Sequence, residues 1–135
     1  MRDLMTIGKV AALAGVSADA IRYYERLGLF PKPTRTHAGY RVYPPAIVNR
    51  LNLVRNAQRF GFSLREIAGF LRVRDTGGAP CRTVRAAAEA MLEAIDQQIA
   101  DLAVRREEMR KTLRVWDRTL QHTAAGTQGR LLERL

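Results

Sequence analysis

Hydrophobic and polar positions follow two regimes that meet near residue 75. Before that point short apolar series alternate with Gly and Pro, and after it one stripe runs without either residue over residues 82–121. In the first regime Ile7, Val10, Ala11 and Ala14 fall at the i, i+3, i+4, i+7 spacing of a buried helical face, with Thr6 as cap and Gly15 as stop. Ser17 caps a second helix predicted over residues 18–27, anchored by Ile21 and Leu27 and ended by Gly28. Its polar surface carries Arg22, Tyr23, Tyr24 and Arg26. Two short helices around a glycine-containing turn match the helix-turn-helix pattern, whose second helix is the one presented to a groove.

Pro31 and Pro33 then keep the chain extended, and His37-Ala-Gly39 is a turn into Tyr40-Arg-Val-Tyr43, a strand by composition. With Phe30 to Thr36 as the opposing arm, the expectation is a small two-stranded wing flanked at its tip by Arg35 and Arg41. Pro44-Pro45 opens a third helix with Ile47, Leu51, Val54 and Gln58 on one face. Phe60-Gly61-Phe62 is a corner, and Ser63-Leu-Arg-Glu66 is a capping box for a fourth helix through Ile67, Phe70 and Leu71. Residues 76–81, which include Gly77, Gly78 and Pro80, read as a linker.

The second regime predicts one helix over residues 82–121, about 60 Å long at 1.5 Å per residue. Leu92, Ile95, Ile99, Leu102, Met109, Leu113, Trp116 and Leu120 recur at alternating steps of three and four, and only Arg106 breaks the series. Such a stripe is a coiled-coil seam, and a helix this long has no room to bury it against a domain of about 70 residues; a second chain is required. The expected class is therefore mostly α. A winged helix-turn-helix domain (1–75) is followed by the linker, a dimerisation helix (82–121) and a short tail (122–135).

Charge narrows the partner. The chain carries a net charge of +10, with 20 of its 23 basic residues arginine. Residues 1–75 hold 13 Lys/Arg against 5 Asp/Glu, leaving +8, whereas residues 76–135 hold 10 against 8, leaving +2. A basic, arginine-rich first half points to a polyanion, and to double-stranded DNA over an anionic membrane because no basic amphipathic helix with a Trp or Phe face lies there. No apolar run is long enough to cross a membrane, and the N-terminus lacks the features of a signal peptide, so a cytoplasmic protein is expected. A glycine-rich phosphate loop, a paired-histidine motif and a nucleophile with a nearby base are all missing, so the chain does not read as an enzyme.

Four stretches in order, Thr6-Ile-Gly-Lys-Val-Ala, Ile21-Arg-Tyr-Tyr-Glu-Arg-Leu-Gly-Leu29, Ala38-Gly-Tyr-Arg-Val-Tyr43 and Gly61-Phe-Ser-Leu-Arg-Glu-Ile67, resemble the N-terminal domain of the MerR family of bacterial transcription regulators. The resemblance covers residues 5–73. It implies a homodimer whose long helices pair antiparallel, placing two winged domains on a pseudo-palindromic promoter site. It implies activation by bending and untwisting the promoter so that RNA polymerase engages both its elements, with an effector shifting the dimer between two geometries. It places Arg22 against the DNA, suggests a backbone contact for Tyr24, and makes Arg35, Tyr40 and Arg41 the phosphate-contacting set of the wing. Tyr23 and Tyr24 diverge by about 100° on the helix and do not both face the core, so one is expected to be buried and the other free to give its hydroxyl to a phosphate, and which is which stays open. Tyr43 reads as core, and Arg55 as a phosphate contact or a solvated residue.

Cys81, the only cysteine, stands where zinc, cadmium, lead and mercury sensors of that family place a thiolate. Those relatives complete the site with loop cysteines, and Ala124-Ala125 occupy the corresponding positions here. One thiolate per chain falls short of the two to four that a soft metal wants. The residues leave three readings open: an inert thiol, a redox or electrophile sensor helped by Arg82 and Arg85, or a weak soft-metal site with His122 from the partner chain. Two rival functions follow, a metal- or thiol-responsive protein with incidental DNA binding and a coiled-coil interaction module.

Overall fold

The computed structural model describes residues 3–124, 126 and 128–135. Elements follow in the order β1 (Met5–Thr6), α1 (Ile7–Ala14), α2 (Ala18–Arg26), β2 (Thr34–Arg35), β3 (Arg41–Tyr43), α3 (Ala46–Phe60), α4 (Leu64–Asp75) and α5 (Cys81–Gln121), with a 3-10 turn at Leu132–Arg134. Helix starts sit where side-chain acceptors meet orphan N–H groups. Thr6 Oγ1 accepts from the Lys9 N–H at 3.2 Å and Ser17 Oγ from that of Ala20 at 3.0 Å. Ser63 and Glu66 cap each other's backbone, both at 3.1 Å. Each such cap contributes about 1 kcal/mol. Gly28 ends α2 in the left-handed region at φ 79°, a conformation that disfavours any residue with a Cβ.

The sheet has three strands where two were expected. Its order is β1-β3-β2, all antiparallel, with Met5 opposite Tyr43, Thr6 opposite Val42 on one side and Thr34 opposite Val42, Arg35 opposite Arg41 on the other. A two-residue strand is too short to show an alternation, so β1 left no periodic signal, and Thr6 is both its last residue and the cap of α1.

Two compact units divide the chain, Met1–Glu89 and Ala90–Leu135. In the first, α1 is the hub, packing on α2, α3, β1 and β3. Val10, Ile21, Leu29, Tyr43, Leu51, Val54 and Ile67 are fully buried, and Phe30 meets Tyr43 edge to face with centroids 6.1 Å apart. The apolar face read for α3 ends at Val54, since Gln58 is exposed. Arg50 ties the unit together from below, its Nε donating to the Leu29 carbonyl at 2.7 Å while Nη1 and Nη2 hold both oxygens of Asp75 at 2.7 Å. In the second unit no α5 residue is buried, and the terminal segment folds on the helix, with Leu135 beside Met109, Leu113 and Trp116.

The hydrogen bond from Arg50 holds the Asp75 carboxyl below its ordinary value of 3.8. A carboxyl depressed in the folded state stabilises above its unfolded value and loses that contribution as pH falls through the folded value. Asp75→Asn is therefore expected to be less stable than the parent at neutral pH. In urea melts across a pH series, the gap should close below pH 3.8.

Candidate nucleic-acid interface

Three of the expected arginines converge because α2 and β3 both pack on α1. Arg22, Arg35 and Arg41 line one groove of about 190 Å³, together with Thr6, Ile7, Gly39 and Tyr40. Arg22 lies one residue after the buried Ile21, which turns it outward, and its Nη1 meets Asp19 at 2.9 Å on the exposed helix surface. Arg35 Nη1 donates to the Gly39 carbonyl at 2.8 Å, which holds the guanidinium over the wing turn. That turn needs Gly39, at φ 86°. Arg35 and Arg41 are direct cross-strand partners. Like charges placed so are unfavourable on their own, and an anion in the groove relieves the repulsion. Tyr40 is 72% exposed at the rim.

The two tyrosine rings of α2 stay neighbours, with centroids 6.4 Å apart, but differ in exposure. Tyr23 is exposed, with the Arg26 guanidinium 5.8 Å from its ring centroid. Tyr24 is half-buried and its hydroxyl donates to Gln58 at 3.4 Å. The expectation that one of them is buried fails: neither is a core residue, because Ile21 and Leu29 fill the inner side of this segment. Tyr43, in contrast, is 1% exposed, and burial first, then the nearby Glu25 carboxylate, pushes its phenol above the usual value. Arg55 points inward: Nη1 donates to the Ala14 carbonyl at 2.6 Å, closing the last turn of α1. Sequence reasoning did not single out Arg50 or Glu25, because nothing in their local sequence separates them from solvated charges on a helix.

Cys81 is exposed and is the first residue of α5. Phe60, Phe62, Pro80, Val84, Arg85 and Ala88 form an apolar groove of about 390 Å³ around it. Among the described residues no cluster of three His, Cys, Asp or Glu side chains is assembled. Cys81 and His122 belong to different compact units. Of the pair read as the loop-cysteine positions, Ala125 lies outside the described residues. One thiol beside an arginine and aromatic carbons does not fit a soft metal, which wants several thiolates.

Residues 5–73 match the family described as "MerR HTH family regulatory protein", and residues 48–112 match "MerR, DNA binding". The mercuric resistance operon regulatory protein of Bacillus cereus is 44% identical over 96 residues, 71% of this chain and 73% of that one. The lead(II) complex of the regulator PbrR691 from Ralstonia metallidurans superposes with a TM-score of 0.71 at 27% identity, over 82% of this chain and 85% of that chain. HiNmlR, a regulator bound to promoter DNA, shares the fold at a TM-score of 0.55 and 24% identity, over 87% and 94%.

Arg55 separates a structural from a ligand-binding role. Arg55→Ala should lower the stability of the free protein by about 1–3 kcal/mol, the scale of a lost charged hydrogen bond. Urea unfolding without DNA measures it, and an unchanged midpoint would mean that the contact with Ala14 contributes nothing.

Proposed function

Because the chain belongs to the MerR family of DNA-binding helix-turn-helix transcription regulators, we propose that it acts as a homodimer on a pseudo-palindromic promoter site. Each protomer lays α2 in a major groove and braces its wing on the flanking phosphates. The observation that carries this reading is the groove in which Arg22, Arg35 and Arg41 meet beside Tyr40. Guanidinium forks match phosphate oxygens and guanine edges, and neutralising several phosphates releases counterions. Tyr23 and Tyr24, whose rings neighbour each other on α2, add two hydroxyls that can donate to phosphates.

The dimer is supported by the seam. Leu92, Ile95, Ile99, Leu102, Met109, Leu113 and Leu120 are between 49% and 60% exposed in one protomer, and Trp116 is half-buried. A second copy of α5 laid antiparallel covers them, with the two-fold axis near Arg106, the midpoint of the series. Two arginine-rich heads on one site offset the cost of deforming DNA, about 1–6 kcal/mol for a smooth bend of 20–30 base pairs. RNA polymerase at the promoter is the partner that such a distortion serves, and activation is the expected output. Relatives named for mercury resistance and crystallised with lead make a metal a natural effector class for the family. In this chain the single thiol of Cys81 leaves a soft metal short of the thiolates it wants.

Gel-shift titration on the promoter region beside its own gene, at two salt concentrations, tests the reading. Sequence-selective binding that falls steeply with salt is expected, with Arg22→Ala about tenfold weaker and its salt slope flatter by about one. Binding absent at modest salt would sink the proposal. For the seam, Ile99→Glu should sediment as a monomer and lose operator binding with its winged domain still folded, whereas a dimeric Ile99→Glu protein would rule out this interface.

A further inference from the structure

We propose that Glu25 is a positioning residue: by holding Arg41 it sets the wing against α2, and so governs how sharply the protein separates its operator from other DNA. The inference rests on the regulator reading above. Glu25 lies one turn beyond Ile21 and Arg22, and its side chain is only 14% exposed. Its Oε2 is 3.3 Å from Arg41 Nε, whose side chain is 31% exposed. The Nε is buried and makes no aligned hydrogen bond, so the contact is an ion pair rather than a directed bond. Tyr43, two residues along β3, is the buried neighbour that feels the same carboxylate.

A carboxylate here works against DNA affinity. It sits one helical turn from Arg22, next to a groove lined by three arginines, and subtracts from the field that draws phosphates. A solvated acid on the outer surface would be unremarkable; one turned inward onto the wing strand links two elements that touch DNA at different places. The closest approach is at Nε, on the stem side of the guanidinium, and the Nη fork is the part that matches a phosphate. Arg41 held in this way carries the wing at a set distance from the α2 surface. The angle between groove contact and backbone contact then suits only one shape of site. Without the link, the wing and Arg41 still attract phosphate but in many poses, which serves any duplex equally.

Glu25→Gln keeps the shape and removes the charge. Dissociation constants of the full-length dimer are measured on the promoter duplex and on a shuffled duplex of equal length, across a salt series and beside urea melts. The ratio of shuffled to promoter dissociation constants is expected to fall about tenfold, the scale of one specific contact, with shuffled-duplex binding unchanged or tighter. Arg41→Gln should lower the same ratio and flatten the salt slope by about one. Adding Glu25→Gln to Arg41→Gln should leave the ratio where it was. If Glu25→Gln does not fold, Glu25→Asp, which keeps the charge but draws the carboxylate back from Arg41, should show the same loss of ratio. An unchanged ratio in a folded Glu25→Gln or Glu25→Asp protein, or effects of the two sites that add in the double variant, overturns the inference while leaving the regulator reading intact. A parent without selective binding overturns both.

Discussion

The packing of α1 at the centre of the first unit is the constraint on which the rest depends. Val10 is wholly buried and Ala14 nearly so, and the helix touches α2, α3, β1 and β3. α2 and the wing strand thus take their positions from the same eight-residue helix rather than from a long lever. Its ends are secured by different means, Thr6 at the start and the Arg55 guanidinium on the Ala14 carbonyl at the finish. β1 runs directly into α1, so the edge of the sheet and the start of the hub are one continuous piece of chain. A small hub with a small residue, Ala14, at its contact leaves little freedom for α2 to tilt against β3.

On that frame the arginines divide into two groups that face opposite ways. Arg50 and Arg55 turn inward and satisfy carbonyls of Leu29 and Ala14, and Arg50 also pairs with Asp75. Arg22, Arg35 and Arg41 turn to the groove. Guanidinium donors turned into the fold need acceptors, and backbone carbonyls at helix and loop ends are the ones that folding leaves over. The outward group is answered only in part, by Asp19, by the Gly39 carbonyl and by Glu25. Arg35 and Arg41 also stand opposite each other across the strands, a like-charge placement that an anion would relieve.

The second unit obeys a different rule. Its helix has no buried residue, yet its apolar positions are ordered to within one residue over residues 92–120. An ordered stripe without a core of its own is a surface shaped for a mate, and the only interruption is Arg106, at the centre of the stripe. The terminal segment reaches back to Met109, Leu113 and Trp116, shortening the part of the stripe that is fully open.

Helix boundaries, caps and the family were legible in the sequence, because they rest on local chemistry: a serine or threonine before an apolar series, glycine after it, and a seam whose period needs no knowledge of the fold. The convergence of Arg22, Arg35, Tyr40 and Arg41 was legible only through the resemblance, since 13 residues separate the first two. Tertiary structure alone decided the third strand, too short to alternate, and the inward turn of Arg50 and Arg55, whose acceptors lie 21 and 41 residues away. It also decided the surroundings of Glu25, which by sequence is one more charge on a short helix and in the fold is the acid that faces the wing. Periodicity reports which face of an element is buried; which charge meets which carbonyl or carboxylate depends on contacts between elements, and those exist only once the chain has packed.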